Sequence, residues 1–213
     1  MVSISPAPGD VVGIGRPETV ECATSVQDRS SAQRAIVIDV SVEVPRRFMW
    51  VSERAVRWRP DGAWPAHTPV SVTAGGMSTR FDVDAAVVSV ADISAHTFTV
   101  SIDGQAVRAM PASLGKPRFE KPLGTLPVVD RERRVTFDAR TIGIPLDDPE
   151  GYLIEGEFGV RIAWGGVYVH SAPWSKVSQG NENVSHGRIN LSPENAEWYL
   201  NTVDIGDPVI VRN

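Results

Sequence analysis

The stretch "EGEFGVRIAWGGVYVHSA", residues 155–172, decides the fold class of this chain of 213 residues. Apolar and polar residues alternate on both sides of Gly165-Gly166, which is the pattern of two half-buried strands joined by a turn. The same alternation fills "AVRWRP" (55–60) and "TPVSVTA" (68–74), and Asp103-Gly104 predicts another hairpin within residues 96–110. The chain is therefore predicted to be mostly β.

One stretch only is typical of a helix, "LSPENAEWYLNTV" at residues 191–203. Ser192 is suited to the N-cap and Pro193 to the first helical position, and apolar residues recur on one face after them. The helix is predicted to start directly after the segment "SHGRIN", residues 185–190. The mixed-sign cluster "DRERR", residues 130–134, is predicted to be a solvated turn.

Composition excludes several classes of protein and of site. Hydrophobic residues make up 42% and charged residues 22%, which is ordinary for a folded soluble chain, and the net charge of −5 predicts no nucleic-acid partner. No apolar run is long enough to span a bilayer. Cys22 is the only cysteine, so an intrachain disulfide and a thiolate metal cluster are excluded. The four histidines form no pair with metal-ligand spacing, and no metal or cofactor is predicted.

The length allows two small β domains, and the character of the sequence changes near residues 85–95. Residues 1–88 consist of strands and loops that group no reactive side chains, which is typical of a small β-sandwich. Residues 89–213 carry two histidine-containing segments. The predicted division is therefore 1–88 and 89–213.

The reactive residues of the chain are concentrated around His170 and His186. A polar, glycine-containing loop separates "YVHSAPWS" (168–175) from "SHGRIN" and can fold back to bring the two histidines together. A single histidine is more often structural, but two histidines beside Ser171 and Ser185 suggest a general base next to a nucleophile. That nucleophile is expected at the fourth position of SHGRIN, where Arg188 stands. Arginine stays protonated, offers donors and no acceptor, and cannot attack a carbonyl.

These segments resemble the peptidoglycan L,D-transpeptidases, the family with a YkuD-type catalytic domain. The resemblance is carried by the order "VYVHSAPWS … SHGRINLSPENAEWYL … GDPVIV" and extends from about Asp92 to Asn213. The upstream residues resemble the Ig-like module that precedes this domain in the mycobacterial type of the family. The implied fold is an N-terminal Ig-like β-sandwich followed by a YkuD-type β-sandwich or barrel with one or two short helices.

The resemblance implies an acyl-transfer mechanism. In the family, a cysteine thiolate attacks a carbonyl of a donor stem peptide, and the acyl group then passes to an amine of an acceptor stem peptide. Carried onto this sequence, His170 is the base with Ser171 in the orienting group, while His186 and Gly187 shape the turn that presents residue 188. The N–H groups of Gly187 and residue 188 would form the oxyanion hole. The implied substrate-binding residues are Tyr152, Phe137, Trp174, Ser185 and Asn190, and for Phe137 and Trp174 a place in the core is an open alternative.

Arg188 departs from the family at the position of the nucleophilic cysteine. The chain as written is therefore predicted to be inactive in transpeptidation, and carbapenems are expected as covalent partners only if that cysteine is present. Three explanations stay open: a natural replacement in a wall-binding relative, a substitution introduced into this sequence, or recruitment of the fold to another role. The alternative functions are a non-catalytic peptidoglycan-binding or structural cell-wall protein, and a β-sandwich with a chance motif.

Two further expectations concern the cellular location of the protein and the position of the Arg188 side chain. The resemblance puts the chain outside the cytoplasmic membrane, in the periplasm or cell wall, with an export signal or membrane anchor beyond these 213 residues. Arg188 is predicted to lie close to His170 at the mouth of a cleft, at the N-terminus of the helix near Ser192. Its side chain is predicted to swing towards solvent or onto Glu182 or Glu155.

Overall fold

The computed structural model describes residues 3–117, 119 and 123–213, and this chain divides after Ala86 into two compact units. Each unit contains two sheets, and strands are the dominant element, which confirms the prediction of a mostly β chain. Within the described ranges, no helix is long and apolar enough to cross a membrane.

The described part of the first unit contains the short helix α1 (Arg29–Arg34) and eight strands. The strands are β1 (Ser3–Ser5), β2 (Val11–Val12), β3 (Glu18–Glu21), β4 (Val37–Val40), β5 (Arg46–Trp50), β6 (Ala55–Pro60), β7 (Thr68–Ala74) and β8 (Met77–Val83). They form two four-stranded sheets, with the orders β1-β3-β6-β5 and β2-β8-β7-β4.

The core of the first unit lies between its two sheets. Alternation in β6 turns Val56 and Trp58 inward, and alternation in β7 does the same for Val70. Trp64 connects the layers, because its ring centroid is 4.8 Å from that of Trp58 in one sheet and 6.0 Å from that of Phe81 in the other. The first unit is therefore a β-sandwich.

Helix α1 was not predicted from the sequence. Its six residues include none that is buried, so it has no apolar face and leaves no helical periodicity to detect. Its start is fixed by the side chain of Asp28, which accepts a hydrogen bond from the Ser31 amide at 2.9 Å.

The described part of the second unit contains nine strands and the helix α2 (Pro193–Thr202), with short 3₁₀ turns at Ala139–Ile142 and Pro173–Ser175. The strands are β9 (Val87–Asp92), β10 (Thr97–Ile102), β11 (Gln105–Pro111), β12 (Gly124–Pro127), β13 (Asp130–Asp138), β14 (Leu153–Ala163), β15 (Val167–Ser171), β16 (Ile189–Leu191) and β17 (Pro208–Arg212). One sheet has the order β11-β10-β9-β17-β12 and the other β13-β14-β15-β16.

Helix α2 packs on β14 and β15 and completes the core of the second unit. The ring of its residue Tyr199 meets Phe98 of β10 edge-on, with centroids 4.8 Å apart. The Tyr199 oxygen accepts a hydrogen bond from the Ser89 hydroxyl at 3.0 Å, so the buried phenol is paired. The helix thereby packs against strands of one sheet and is joined to the other sheet through the Tyr199 side chain.

Both predicted hairpins of the second unit are present. Asp103 and Gly104 join β10 to β11 with φ values of 49° and 81°, the left-handed conformations that a two-residue hairpin turn requires. Gly166 has φ 79° in the turn between β14 and β15. The second hairpin delivers β15, and with it His170, to the end of the sheet where the chemistry is expected.

Candidate active site

A cleft of about 240 Å³ lies at the end of the β13-β14-β15-β16 sheet. It brings together eight of the ten residues singled out in the sequence: Phe137, Tyr152, His170, Trp174, Ser185, His186, Arg188 and Asn190. Ser171 and Gly187 do not line it. The remaining lining residues come from the loop before β14, from β14 itself and from the position before SHGRIN: Pro149, Glu150, Gly151, Ile154 and Val184.

Strand β16 aligns the SHGRIN segment with the histidine strand. It pairs in parallel with β15, so that Asn190 lies opposite His170. The strand also corrects one prediction, because it separates Arg188 from helix α2, which begins only at Pro193 with Ser192 as its N-cap. Arg188 is therefore not at the helix N-terminus, and the unfavourable interaction of a cation with that terminus does not arise.

His170 is held by its neighbour's main chain. Its Nδ1 lies 2.8 Å from the carbonyl oxygen of Ser171 and donates to it, which leaves Nε2 as the acceptor nitrogen. Ser171 thus orients the ring through its backbone. Burial lowers the pKa of His170 to about 3, the Ser171 carbonyl opposes this, the charge of Arg188 lowers it further, and Asn190 raises it. At neutral pH the imidazole is therefore uncharged, with Nε2 unprotonated.

The Ser185–Arg188 turn is closed by hydrogen bonds of its own. Gly187 has φ 85°, a left-handed conformation that glycine adopts without strain. The Ser185 hydroxyl oxygen accepts from the Arg188 amide at 2.9 Å, and the hydroxyl donates to the Arg188 carbonyl at 2.5 Å. The prediction that the amide of residue 188 serves an oxyanion hole is therefore wrong for this conformation, because that N–H is already used inside the turn.

The side chain of Arg188 stays in the cleft. It is 7% exposed, and its guanidinium carbon lies 4.4 Å from the ring centroid of Phe137 and 5.1 Å from that of Tyr152. The predicted swing towards solvent, Glu182 or Glu155 is wrong, because the two aromatic faces offer the cation a nearer site. No carboxylate among the described residues forms an ion pair with it.

The aromatic walls of the cleft differ in their burial. Phe137 is 2% exposed, packs in a small core cluster with Val135 and Tyr168, and lies with its ring centroid 4.3 Å from that of His170. Trp174 is 53% exposed, with its centroid 6.0 Å from His170. Phe137 is thus both core and wall, whereas Trp174 is a wall open to solvent.

At the rim of the cleft, two residues that the sequence did not signal, Lys116 and Glu150, join the predicted His186. The imidazole Nε2 of His186 lies 2.6 Å from a carboxylate oxygen of Glu150, and Lys116 donates to the two oxygens of that carboxylate at 2.8 and 2.7 Å. Lys116 first and His186 second hold the pKa of Glu150 below its usual range. These three residues lie 34 or more positions apart in loops without periodicity, so no sequence pattern connects Glu150 to either partner.

The cleft has a base and no nucleophile at residue 188. Cys22, the only thiol of the chain, belongs to the first unit. Across the described residues, no group of three or more histidine, cysteine, aspartate or glutamate side chains could hold a metal ion. As it stands, the site combines a neutral proton acceptor, aromatic walls and a buried cation.

Two family models match the chain. Residues 86–211 match the L,D-transpeptidase catalytic domain, and residues 1–77 match a bacterial Ig domain. L,D-transpeptidase 1 of Mycobacterium tuberculosis is 50% identical over 211 residues, which cover 99% of this chain and 84% of the relative.

Solved structures agree with this assignment. An L,D-transpeptidase from Mycobacterium smegmatis is 52% identical and matches with a TM-score of 0.90 over 100% of this chain and 98% of its own. An LD transpeptidase solved in complex with imipenem is 50% identical, with a TM-score of 0.90 over 99% of this chain and 98% of its own. Both resemblances predicted from the sequence are confirmed, and the chain belongs to the L,D-transpeptidase family.

Proposed function

We propose that this chain has the stem-peptide cleft of an L,D-transpeptidase and, as written, does not carry out acyl transfer. The observation that supports the proposal is the guanidinium of Arg188, which occupies the cleft beside His170 at the nucleophile position. The proposed ligands are the donor and acceptor stem peptides of peptidoglycan, and the proposed location is therefore outside the cytoplasmic membrane.

The proposed loss of activity concerns the first covalent step of acyl transfer. Acyl transfer in the family begins when a thiolate sulfur forms a bond to the donor carbonyl carbon and the amine of the leaving residue departs. The His170 imidazole is neutral and keeps one unprotonated nitrogen, but the protonated Arg188 guanidinium has no lone pair available for attack. The step therefore cannot start at residue 188.

Neither serine of the two histidine segments replaces the missing thiol. The Ser185 hydroxyl is bonded to both the amide and the carbonyl of Arg188, which fixes it inside the turn. Ser171 is not among the residues that line the cleft.

Restoring the thiol tests this function. We expect Arg188→Cys to gain one covalent equivalent of imipenem, seen as a mass increase of the intact protein, while the unaltered chain gains none. Arg188→Ser is the matched control for the smaller side chain without the thiol, and Arg188→Cys combined with His170→Gln should react more slowly. An imipenem adduct on the unaltered chain would show that this chain can be acylated and would contradict the proposal. A folded Arg188→Cys protein that stays unmodified would show that the cleft is not an acyl-transfer site.

A second function, binding of the cell wall without cutting it, is favoured by the position of the Arg188 side chain. The Arg188 guanidinium inside the cleft is a group that can bind a ligand at the position where the family has its reactive thiol. Binding of muropeptides to the unaltered chain, measured by calorimetry and weakened in Arg188→Ala, is the expected result. Equal binding by both proteins would exclude Arg188 as the anchor.

A further inference from the structure

Arg188 is a buried cation without a counter-ion in the part of the chain that the structure describes. It is 7% exposed and forms no ion pair with a described carboxylate. Glu150 is the acidic residue of the cleft lining, and Lys116 and His186 already share its carboxylate. Counted over the described residues, the cleft therefore carries an unbalanced positive charge, and an unpaired buried charge is unfavourable until an anion joins it.

The contacts of the guanidinium do not satisfy its donors. The guanidinium carbon of Arg188 lies 4.4 Å from the ring centroid of Phe137 and 5.1 Å from that of Tyr152, and an aromatic face accepts no conventional hydrogen bond. Its N–H donors point outward in the plane of the group, and contact with the rings does not satisfy them. The buried Nε of Arg188 has no hydrogen-bond partner among the described residues, and neither does the buried hydroxyl of Tyr152. One N–H donor and one O–H donor of this cleft are thus without a partner in the described part of the chain.

We propose that this cleft is a receptor for a single carboxylate-bearing residue, which the Arg188 guanidinium and the Tyr152 hydroxyl recognise. A carboxylate presents two oxygens in a plane and matches the guanidinium in a bidentate arrangement. The inference rests on the proposed function, since it takes the transpeptidase cleft as the binding site. It adds that the arginine changes the cleft from a site that reacts with a carbonyl into one that holds an acid.

The cleft limits the size and shape of the ligand. Its volume of about 240 Å³ is small for a ligand site, so it suits one residue and not an extended segment. The walls formed by Phe137 and Trp174 are aromatic and favour a carboxylate on an apolar or flat body over a fully hydrated inorganic anion. The carboxylate can come from a peptide terminus or from a uronic acid sugar, which share this chemistry.

Calorimetry with three small probes tests the inference: N-acetylalanine, its uncharged amide N-acetylalaninamide, and methyl glucuronide. We expect the unaltered chain to bind a carboxylate probe about tenfold or more tightly than the amide, as a charge-assisted bidentate contact allows. In Arg188→Gln this preference should disappear, in Arg188→Lys it should be reduced, and in Tyr152→Phe it should fall by a few-fold. Tighter binding of N-acetylalanine indicates a peptide source, and tighter binding of the glucuronide indicates a sugar source.

Arg161→Gln is the matched control. Arg161 also stacks on an aromatic ring, that of Tyr168 at 4.9 Å, but it is paired with Glu132 at 2.9 Å and lies outside the cleft lining. Its replacement should leave the carboxylate preference unchanged. Equal binding of acid and amide by the unaltered chain, or an undiminished preference in folded Arg188→Gln, overturns the inference.

Failure of the inference is distinguishable from failure of the proposed function. Imipenem labelling of Arg188→Cys with no acid preference in the unaltered chain overturns the carboxylate receptor and leaves the cleft assignment in place. Folded Arg188→Cys that resists imipenem overturns the cleft assignment itself.

Discussion

His170 and Arg188 contact the same ring. The Phe137 centroid is 4.3 Å from the centroid of His170 and 4.4 Å from the guanidinium carbon of Arg188. Two groups that can each carry a positive charge therefore lie near one buried aromatic side chain, and only one of them is charged. Burial is the main cause of the low pKa of His170, and the charge of Arg188 adds to it.

The effect of Arg188 on His170 can be measured directly. We expect Arg188→Gln to raise the pKa of His170 above its value of about 3, because a like charge is removed. The pKa should stay below the ordinary value of 6.5, because burial is the larger cause and does not change. Imidazole chemical shifts of His170, followed by NMR against pH in both proteins, check this. An unchanged titration of His170 would mean that the two side chains do not interact.

At the scale of elements, the pair of strands β13 and β14 holds the aromatic wall in place. Gly156 of β14 lies opposite Val135, and a Cβ atom at Gly156 would come within 2.4 Å of the Phe137 ring. The absence of a side chain there is what allows the ring to lie flat across the strand pair. A glycine in the middle of a strand is thus explained by the position of a wall residue in the cleft.

Gly156→Ala should therefore disturb the cleft from a distance. We expect the displaced Phe137 ring to cost about 1–3 kcal/mol of unfolding free energy, as overpacked sites do. In the Arg188→Cys background, the same change should slow imipenem labelling. Gly165→Ala is the matched control, since a Cβ atom there has nothing within 4 Å. Similar urea unfolding curves and labelling rates for the two alanine variants would contradict the role given to Gly156.

Some elements follow from local sequence and others do not. Strands β6 and β7 coincide with the predicted residues 55–60 and 68–74, since alternation and burial agree along their whole length. The cluster 130–134 was predicted as a turn, and this prediction is wrong: it forms the first half of β13, where charged residues occupy partly buried and exposed positions alike. Its partner strand β14 supplies the hydrogen bonds, and no local signal reports a partner.

The candidate site likewise has features that local sequence predicts and features that only tertiary packing determines. The cleft residues of the two histidine segments were predicted from a motif whose residue types and spacing are fixed over about twenty residues, whereas Glu150 and four other lining residues were not predicted. The conformation of the Arg188 side chain depends on Phe137 and Tyr152, which come from distant segments, and their positions are set by packing. Contact with these two aromatic rings keeps the Arg188 cation buried, whereas the sequence around residue 188 indicates only its charge.

At the scale of the whole molecule, each unit contains a buried ionisable group, and the two respond to pH in opposite directions. In the first unit, Glu18 is 1% exposed, so its carboxyl group is almost completely removed from water. Burial raises the pKa of Glu18 well above 4.5, with the Arg16 charge among the opposing influences. In the second unit, burial lowers the pKa of His170 from 6.5 to about 3.

The two units should therefore lose stability at opposite ends of the pH range. The contribution of Glu18 is complete below pH 4.5 and is lost as pH rises through its folded pKa, since folding favours the protonated acid. The contribution of His170 is complete above pH 6.5 and falls by about 1.4 kcal/mol per pH unit as pH drops towards 3. Hydrogen exchange in β6 and β15, corrected for intrinsic rates, measures each unit separately.

Two variants identify the groups responsible. Glu18→Gln should flatten the pH profile of the first unit on the alkaline side, and His170→Gln should flatten that of the second unit on the acidic side. A profile that stays unchanged in either variant would assign the pH dependence of that unit to another group.

Strand β17 has a further consequence for how the protein is made. It lies between β9 and β12 in the middle of its sheet and runs parallel to β9. The ion pair between Arg212 and Asp92 in these strands spans 120 positions of the sequence. During synthesis on the ribosome, β9 emerges early and keeps one open edge until residues 208–212 have been made. An unpaired strand edge is a template for wrong pairing, and in this unit it stays open until the last strand is made, whereas every strand of the first unit's two sheets is available once β8 has been made.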